Sequence, residues 1–343
     1  MSGAWIAKPL ASLSSVERTL FQEIRSSGTP LSQSLAWTDA AAAVRGNPFV
    51  VFSKDRGVSA VFLMEDSQHG AGRSGLIAEC VNGPVLAWDR IRGSQELNEQ
   101  ISMVVYALHQ THPHLESILI RPRVSESQLQ FLKNHCAFPI HSVDEARTLV
   151  LDLDETESLQ WGHLPSGIRS EVSRAQRAGV RAVRVPWMKG LSSFWQATRE
   201  YYRDRGVFVP GEEWIRALTP ESPGAIPKDS KIEIHLIAAE HSESSSVAEL
   251  LMVIHEGTGY YLFAHERRGA GCPKLSLNLL AQWEALRICI ESGARCYDLN
   301  GVSNPQSQKE MEDSFRGVDF YKRRFKGREV VYFQPLIVFG REI

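Results

Sequence analysis

Two hydrophobic periods alternate along this chain. Alternation every second residue marks strands, and recurrence every three to four residues marks helices. Asn47–Ser53 (NPFVVFS) and Ser59–Met64 (SAVFLM) read as strands around an Asp55-Arg56-Gly57 turn. Leu76–Cys80 and Pro84–Ala87 read as short strands around Asn82-Gly83. Gly93–Thr111 carries Leu97, Ile101, Val104, Val105 and Leu108 at helical spacing. Ile118-Leu119-Ile120 is a short buried strand closed by Arg121-Pro122. Ser125–Asn134 is a helix with a serine cap at Ser125 or Ser127.

A second round begins at Arg147–Leu153 (RTLVLDL), a strand. An arginine-rich helix follows at Pro165–Gly179, then a strand at Val180–Val185. Leu191–Arg205 is an amphipathic helix bearing Phe194, Trp195, Tyr201 and Tyr202. Ile232–Ala239, Ala248–His255 and Gly259–Ala264 are strands. Ser276–Ser292 is a helix with Leu279, Leu280, Trp283, Leu286 and Ile290 on one face and Gly293 as its stop. Arg295–Leu299 is a strand ending at Asn300-Gly301. Phe320–Phe325 is a short basic amphipathic segment, and Val330–Phe339 a last strand. The similar order in both halves predicts an α+β protein of two related domains, with the last strand returning to the first.

Length agrees, because 343 residues exceed one ordinary core. Hydrophobic residues at 43% and charged residues at 23% describe a soluble globular chain and exclude disorder. Apolar runs such as Pro48–Met64 are broken by Ser53, Lys54, Asp55 and Arg56, so no membrane span is expected. The first residues carry no secretory signal pattern. Cys80, Cys136, Cys272, Cys289 and Cys296 form no CxxC and no complete disulfide framework, which predicts a reducing cytoplasm, no disulfide and no metal.

A net charge of −2 excludes coating of nucleic acid by bulk charge. It leaves room for local patches. Arg169, Arg174, Arg177, Arg181, Arg184 and Lys189 fall within 21 residues, opposed only by Glu171. Arg316, Lys322, Arg323, Arg324, Lys326 and Arg328 fall within 13 residues, opposed only by Asp319. Either cluster also suits a solvated helix face. Two in one domain tilt the reading towards nucleic acid, with Arg174, Arg177, Arg323 and Arg324 as phosphate contacts.

The most informative stretches are RTLVLDLDETESLQWGHLPSGIRSEVSRAQRAGVRAVRV, FWQATREYYRDRG, the helix closing on Gly293, YDLNG, and Tyr321-Lys322 before Phe325-Lys326-Gly327. In order and spacing over about 180 residues they resemble the FemABX family of aminoacyl-tRNA-dependent transferases. Thinner matches at Trp37, Gly83-Pro84 and Leu119–Val124 extend the likeness over most of residues 30–343. The resemblance implies two GNAT-like domains, 1–147 with 330–343 and 148–329, without a coiled-coil arm. It implies transfer of an amino acid from aminoacyl-tRNA to an amine acceptor, by a monomer needing no cofactor.

The resemblance also assigns residues. Lys322, in the aromatic-lysine pair with Tyr321, is tied to catalysis as the cation beside the developing oxyanion; on the residues alone it is a surface lysine of a basic helix. Asp298 is read from its place alone, at a strand end before a Gly turn, where it could orient Lys322 or accept a proton, or else cap the Asn300-Gly301 turn. Tyr261 and His265 contact substrate, or form one face of a sheet. Arg205, or Arg203, is the arginine of the WQATREYYRDRG helix. Two departures bear on the acceptor. Trp37 is followed by no lysine, and Arg121 stands before Pro122 where the family tends to carry an acid. A changed acceptor, a small peptide or metabolite, therefore competes with a peptidoglycan precursor.

The alternative is an acyl-CoA-dependent GNAT enzyme. Its pyrophosphate loop, Q/R-x-x-G-x-G/A, is nearly matched by Glu266–Gly271, but Glu266 brings negative charge where phosphate would sit.

Overall fold

The computed structural model describes residues 5–24, 48–69, 73–81, 83–203, 209, 212–217, 232–269, 274–303 and 313–340. The chain divides into two compact units. The first holds Met1–Ala146, Glu213–Ser230 and Val331–Ile343; the second holds Arg147–Glu212 and Lys231–Val330.

In the first unit the strands are β1 (Ile6–Pro9), β2 (Phe49–Ser53), β3 (Val58–His69), β4 (Arg73–Val81) and β5 (Leu115–Arg121). They are joined by the far end of β12 (Arg328–Gly340), whose Ile337–Gly340 pair antiparallel with β5. The strands lie in the order β1-β2-β3-β4-β5-β12, and only β4 and β5 are parallel neighbours. The helices are α1 (Ser15–Ile24), α2 (Ser94–Thr111) and α3 (Glu126–His135). The apolar stripe of α2, through Leu97, Ile101, Val104 and Leu108, is buried against Phe62, Ile118 and Phe339. Ser125 caps α3 in a reciprocal box with Gln128, two backbone donors being satisfied at once.

Several elements differ from the sequence reading. Pro84–Ala87 is not a strand: only Val85 bridges to Ser59, because Pro84 has no N–H to extend the ladder. The strand expected at Arg147 begins earlier, as β6 (Ile140–Asp152). β1, α1 and α4 (Glu157–His163) are additions.

The second unit orders its strands β6-β11-β10-β9-β8-β7. These are β7 (Val180–Val185), β8 (Ile232–His241), β9 (Ser246–His255), β10 (Thr258–Arg267) and β11 (Cys296–Val302), with β6 contributing its residues from Arg147. Its further helices are α5 (Ser166–Arg177), α6 (Trp187–Arg203), α8 (Leu277–Glu291) and α9 (Asp313–Arg323), while α7 (Glu212–Ala217) lies at the boundary. The basic segment read at Phe320–Phe325 is the end of α9. α8 is apolar nearly all round and accordingly buried, with the Trp283 ring 4.9 Å from that of Trp161 of α4 and tilted 58° to it. Gly259 is required by close approach: a Cβ there would lie 2.3 Å from Cys289 Sγ on α8.

Among the described residues, no helix is long and apolar enough to cross a membrane, and no three His, Cys, Asp or Glu side chains gather as metal ligands. Cys80, Cys136, Cys289 and Cys296 are free, and Cys272 lies outside the described residues.

Candidate active site

The site begins where two parallel strands part. β10 and β11 pair only at Thr258–Tyr260 against Cys296–Asp298, although both strands run on. Each is irregular just beyond that point. Leu262 is an extra residue in β10, since Tyr261 opposes Met252 and Phe263 opposes Leu251. In β11 the register against β6 shifts between Asp298 and Gly301, and Asn300 takes a left-handed φ of 65°. Asparagine tolerates that conformation because its side chain bonds locally. Asp298 Oδ1 accepts from Asn300 N–H (2.7 Å), and Asn300 Oδ1 accepts from Gly301 N–H (2.9 Å). Asn300 Nδ2 then donates to Tyr261 O (3.2 Å), capping the first carbonyl beyond the last strand pair.

The bulge at Leu262 decides which side chains share a face. Tyr261 and His265, four apart, were expected on one face. The extra residue separates them: Tyr261 and Ala264 pack against the core around α8, whereas Phe263 packs on Trp195 and Tyr202, and His265 on Phe194, all of α6. Both Tyr261 and His265 still reach one cavity, of about 280 Å³. Tyr201, Tyr202, Tyr261 and Tyr321 supply its aromatic walls; His265, Glu266, Asn278 and Gln282 supply polar groups. Burial pushes the phenols of Tyr261 and Tyr321 well above their ordinary range, so both are neutral donors at pH 7. His265 Nε2 lies 3.1 Å from Glu249 Oε2.

Lys322 lies in the last turn of α9, beside this fork. It is 6% exposed, and its ammonium donates to Gly301 O at 2.7 Å and lies 5.5 Å from the Tyr261 ring centroid. Burial lowers its pKa to about 8, against the opposing pull of Asp319 and Asp298. The buried Asp319 accepts from Ser303 N–H (3.0 Å) and the Ser303 hydroxyl, which fastens the end of β11 to α9. Asp298 makes the turn bond described above and accepts from Thr148 Oγ1, and its hydrogen bonds are therefore those of a turn cap.

The loop before α8 has its own chemistry. Glu266 accepts from Asn278 Nδ2 (2.5 Å) and lies 2.5 Å from Arg268 Nε. Gly269 N–H, a donor a phosphate would need, is taken by Ser246 Oγ (2.9 Å). A Cβ at Gly269 would stand 1.7 Å from Ser244 O, so only glycine fits. Residues 270–273 lie outside the described residues.

Residues 165–323 match the family model described as an acetyltransferase (GNAT) domain. Among solved structures the chain is similar to FemX, with a TM-score of 0.68 at 13% identity over 96% of each chain. The fold is FemX-like, with GNAT-like domains. Weaker likenesses are to the C-terminal domain of a protein assigned as a lysylphosphatidylglycerol synthetase from Agrobacterium fabrum (TM-score 0.55, 13% identity, 93% of this chain and 91% of that one) and to L-PGS from Bacillus licheniformis (0.52, 11%, 98% and 93%). No curated protein sequence matches.

On this FemX-like frame the remaining expected residues fall in different places. Arg121 belongs to the first unit, where Nε lies 3.2 Å from Glu79 and Nη1 3.2 Å from Asp144. Trp37 and Arg205 lie outside the described residues. The expected phosphate contacts divide. Arg174 and Arg177 are exposed on α5. Arg323 is half-buried between Glu329 (2.7 Å) and Ser303 O (2.8 Å), and Arg324 is half-buried against Glu171. Burial would raise the Glu171 pKa, but hydrogen bonds from Ser276 and Arg324 outweigh it and lower it.

Gln282, Asn278 and Asn300 went unread as site residues. Gln282 had a signal: it interrupts the apolar face of Leu279, Trp283 and Leu286 on a helix that is otherwise buried. Asn300 had none beyond its turn, because its partner Tyr261 O is 39 residues away.

Proposed function

We propose that this chain is an aminoacyltransferase that moves an amino acid from aminoacyl-tRNA to an amine acceptor and forms an amide bond. The amine nitrogen attacks the ester carbonyl carbon, the carbonyl oxygen becomes negative, and the ribose hydroxyl leaves. The amine gives up one proton and the leaving oxygen gains one. The Lys322 ammonium, held at the fork by its bond to Gly301 O, would turn to the developing oxyanion. A fixed donor of this kind typically contributes about 2.7–4 kcal/mol. Asp298, through the turn it caps, would hold Gly301 O in place for Lys322. Tyr321, Tyr261 and His265 would line the donor's acyl end.

The observation that carries the donor class is the loop at Glu266–Gly269. A CoA pyrophosphate needs backbone donors and positive charge there. Here Glu266 is a carboxylate that pairs with the neighbouring Arg268, and the Gly269 N–H is already bonded to Ser246. Arg174 and Arg177 would meet tRNA phosphates. For the acceptor, the charge reversal at Arg121 favours a small peptide or metabolite over a peptidoglycan precursor. A charged-tRNA donor places the reaction in the cytoplasm.

The acetyltransferase description of the matched domain favours a second reading, acyl-CoA-dependent N-acylation of a small amine. One experiment separates the two. The protein is incubated with amine acceptors and either radiolabelled aminoacyl-tRNA mixture or labelled acyl-CoA. Ribonuclease-sensitive transfer of amino acid is expected; label arriving only from acyl-CoA would overturn the proposal.

A further inference from the structure

The cavity at the fork is furnished for a cation. Among the described residues its lining contains the Glu266 carboxylate and four tyrosine rings, and neither lysine nor arginine. Gln282 on α8 is fully buried. Its amide nitrogen donates to Tyr297 Oη (2.6 Å), which leaves the carbonyl oxygen as the free end of the side chain. That oxygen is buried and has no hydrogen-bond partner. A buried acceptor without a donor is costly unless a ligand supplies one. Tyrosine ring faces carry negative potential and attract ammonium groups. Glu266 is held in place by Asn278, so its orientation is set before any ligand arrives. Arg268, its ion-pair partner, is not part of the lining.

We propose that this cavity binds the α-ammonium group of the aminoacyl donor, with Glu266 and Gln282 as its acceptors. The inference rests on the charged-tRNA reading above and adds what in the donor is recognised. The reacting amine of the acceptor does not fit the same place. It has to lose its proton to attack, and a carboxylate-lined, aromatic cavity favours the protonated form. The amine that stays charged throughout is that of the amino acid being transferred. The residue that spoils the CoA loop thereby gains a purpose. Glu266 repels pyrophosphate and selects donors that carry a positive charge beside the carbonyl.

The test is binding of stable donor mimics, measured by calorimetry on the full chain. The probes are 3′-alanylamino-3′-deoxyadenosine and its propionyl counterpart, which lacks only the α-amine. A lysyl and 6-aminohexanoyl pair repeats the comparison with a side-chain amine retained. In at least one pair the α-amine should tighten binding by about tenfold or more, and Glu266→Gln or Gln282→Leu should cut that ratio to about threefold or less. Both members of each pair binding equally would overturn the inference while leaving the charged-tRNA reading intact. Binding by none of the four probes would sink both. An α-amine preference that survives in both variants would show that other groups hold the ammonium. Glu266→Gln keeps an oxygen for Asn278, so its fold, checked by thermal unfolding, should persist.

Discussion

Among the described residues each unit contains one parallel pair of strands, and the two pairs behave differently. In the first unit β4 and β5 slip by one residue after Leu76 against Leu115 and then stay paired from Ile77 against Ser117 to Val81 against Arg121. In the second, β10 and β11 hold together for three pairs and then part. Parting strands expose unpaired backbone groups, which is costly unless something else satisfies them. Asn300 does so for Tyr261 O, and Lys322 for Gly301 O. The charges at the two ends follow the same division. Arg121, at the end of the closed pair, is neutralised by Glu79 and Asp144. Lys322, at the open pair, is buried with a carbonyl as hydrogen-bond acceptor. The same kind of parallel pair thus ends in one unit at an ion-paired arginine and in the other at a fork with a buried lysine.

The largest expected effect comes from removing that cation. Lys322→Ala should lower aminoacyl transfer by about 100-fold or more, with the circular dichroism spectrum unchanged. Lys322→Arg should restore only part of it, because a planar fork places its donors differently from a compact ammonium. A Lys322→Ala enzyme with full turnover would make the open end as inert as the closed one. The pH profile sharpens the same point. With its pKa lowered to about 8, Lys322 loses its charge as pH rises through that value, so kcat should fall on the alkaline side. Lys322→Arg should lack that limb. Stability runs the other way. The unfolded lysine, with its ordinary pKa near 10.4, binds more protons than the folded one between about pH 8 and 10.5, so Lys322 makes the fold more stable as pH rises across that window. Melting curves of wild type and Lys322→Met should converge there.

Next in size is a wedge at the point of parting. Gly259→Ala would drive a methyl into Cys289 and Tyr297, and should destabilise the second unit by roughly 1–3 kcal/mol in urea unfolding. An unchanged midpoint would mean that the paired stretch is looser than its geometry. The arginines come third. Reversing Arg174 and Arg177 to Glu should weaken use of charged tRNA by about tenfold at moderate salt and flatten its salt dependence, since fewer counterions are released. Activity that keeps the wild-type salt slope would return α5 to the status of a solvated face. The smallest effect is expected at the closed pair: Arg121→Ala should cost within about 1 kcal/mol of stability. A change in acceptor KM larger than that stability loss explains would give Arg121 a role in binding.

Much of this protein was readable as a string of residues. Periodicity located α2, α5, α6 and α8 and most of the strands, because each must bury one apolar face and the spacing of that face is a local property. The tyrosine-lysine pair and the YDLNG turn drew notice for the same reason, both being contiguous, and the structure brings them together at the fork between β10 and β11. The glutamate at 266 was legible as an intrusion in a phosphate loop. Tertiary structure alone decided the rest. A single extra residue at Leu262 put Tyr261 and His265 on opposite faces of β10, and no spacing rule announces a bulge. Burial of the Lys322 ammonium against Gly301 O, neutralisation of Arg323 and Arg324 by Glu329 and Glu171, and exposure of Arg174 and Arg177 all depend on partners distant in the chain. Charge type is written in the sequence, but whether a charge is buried, paired or free is a property of what folds against it.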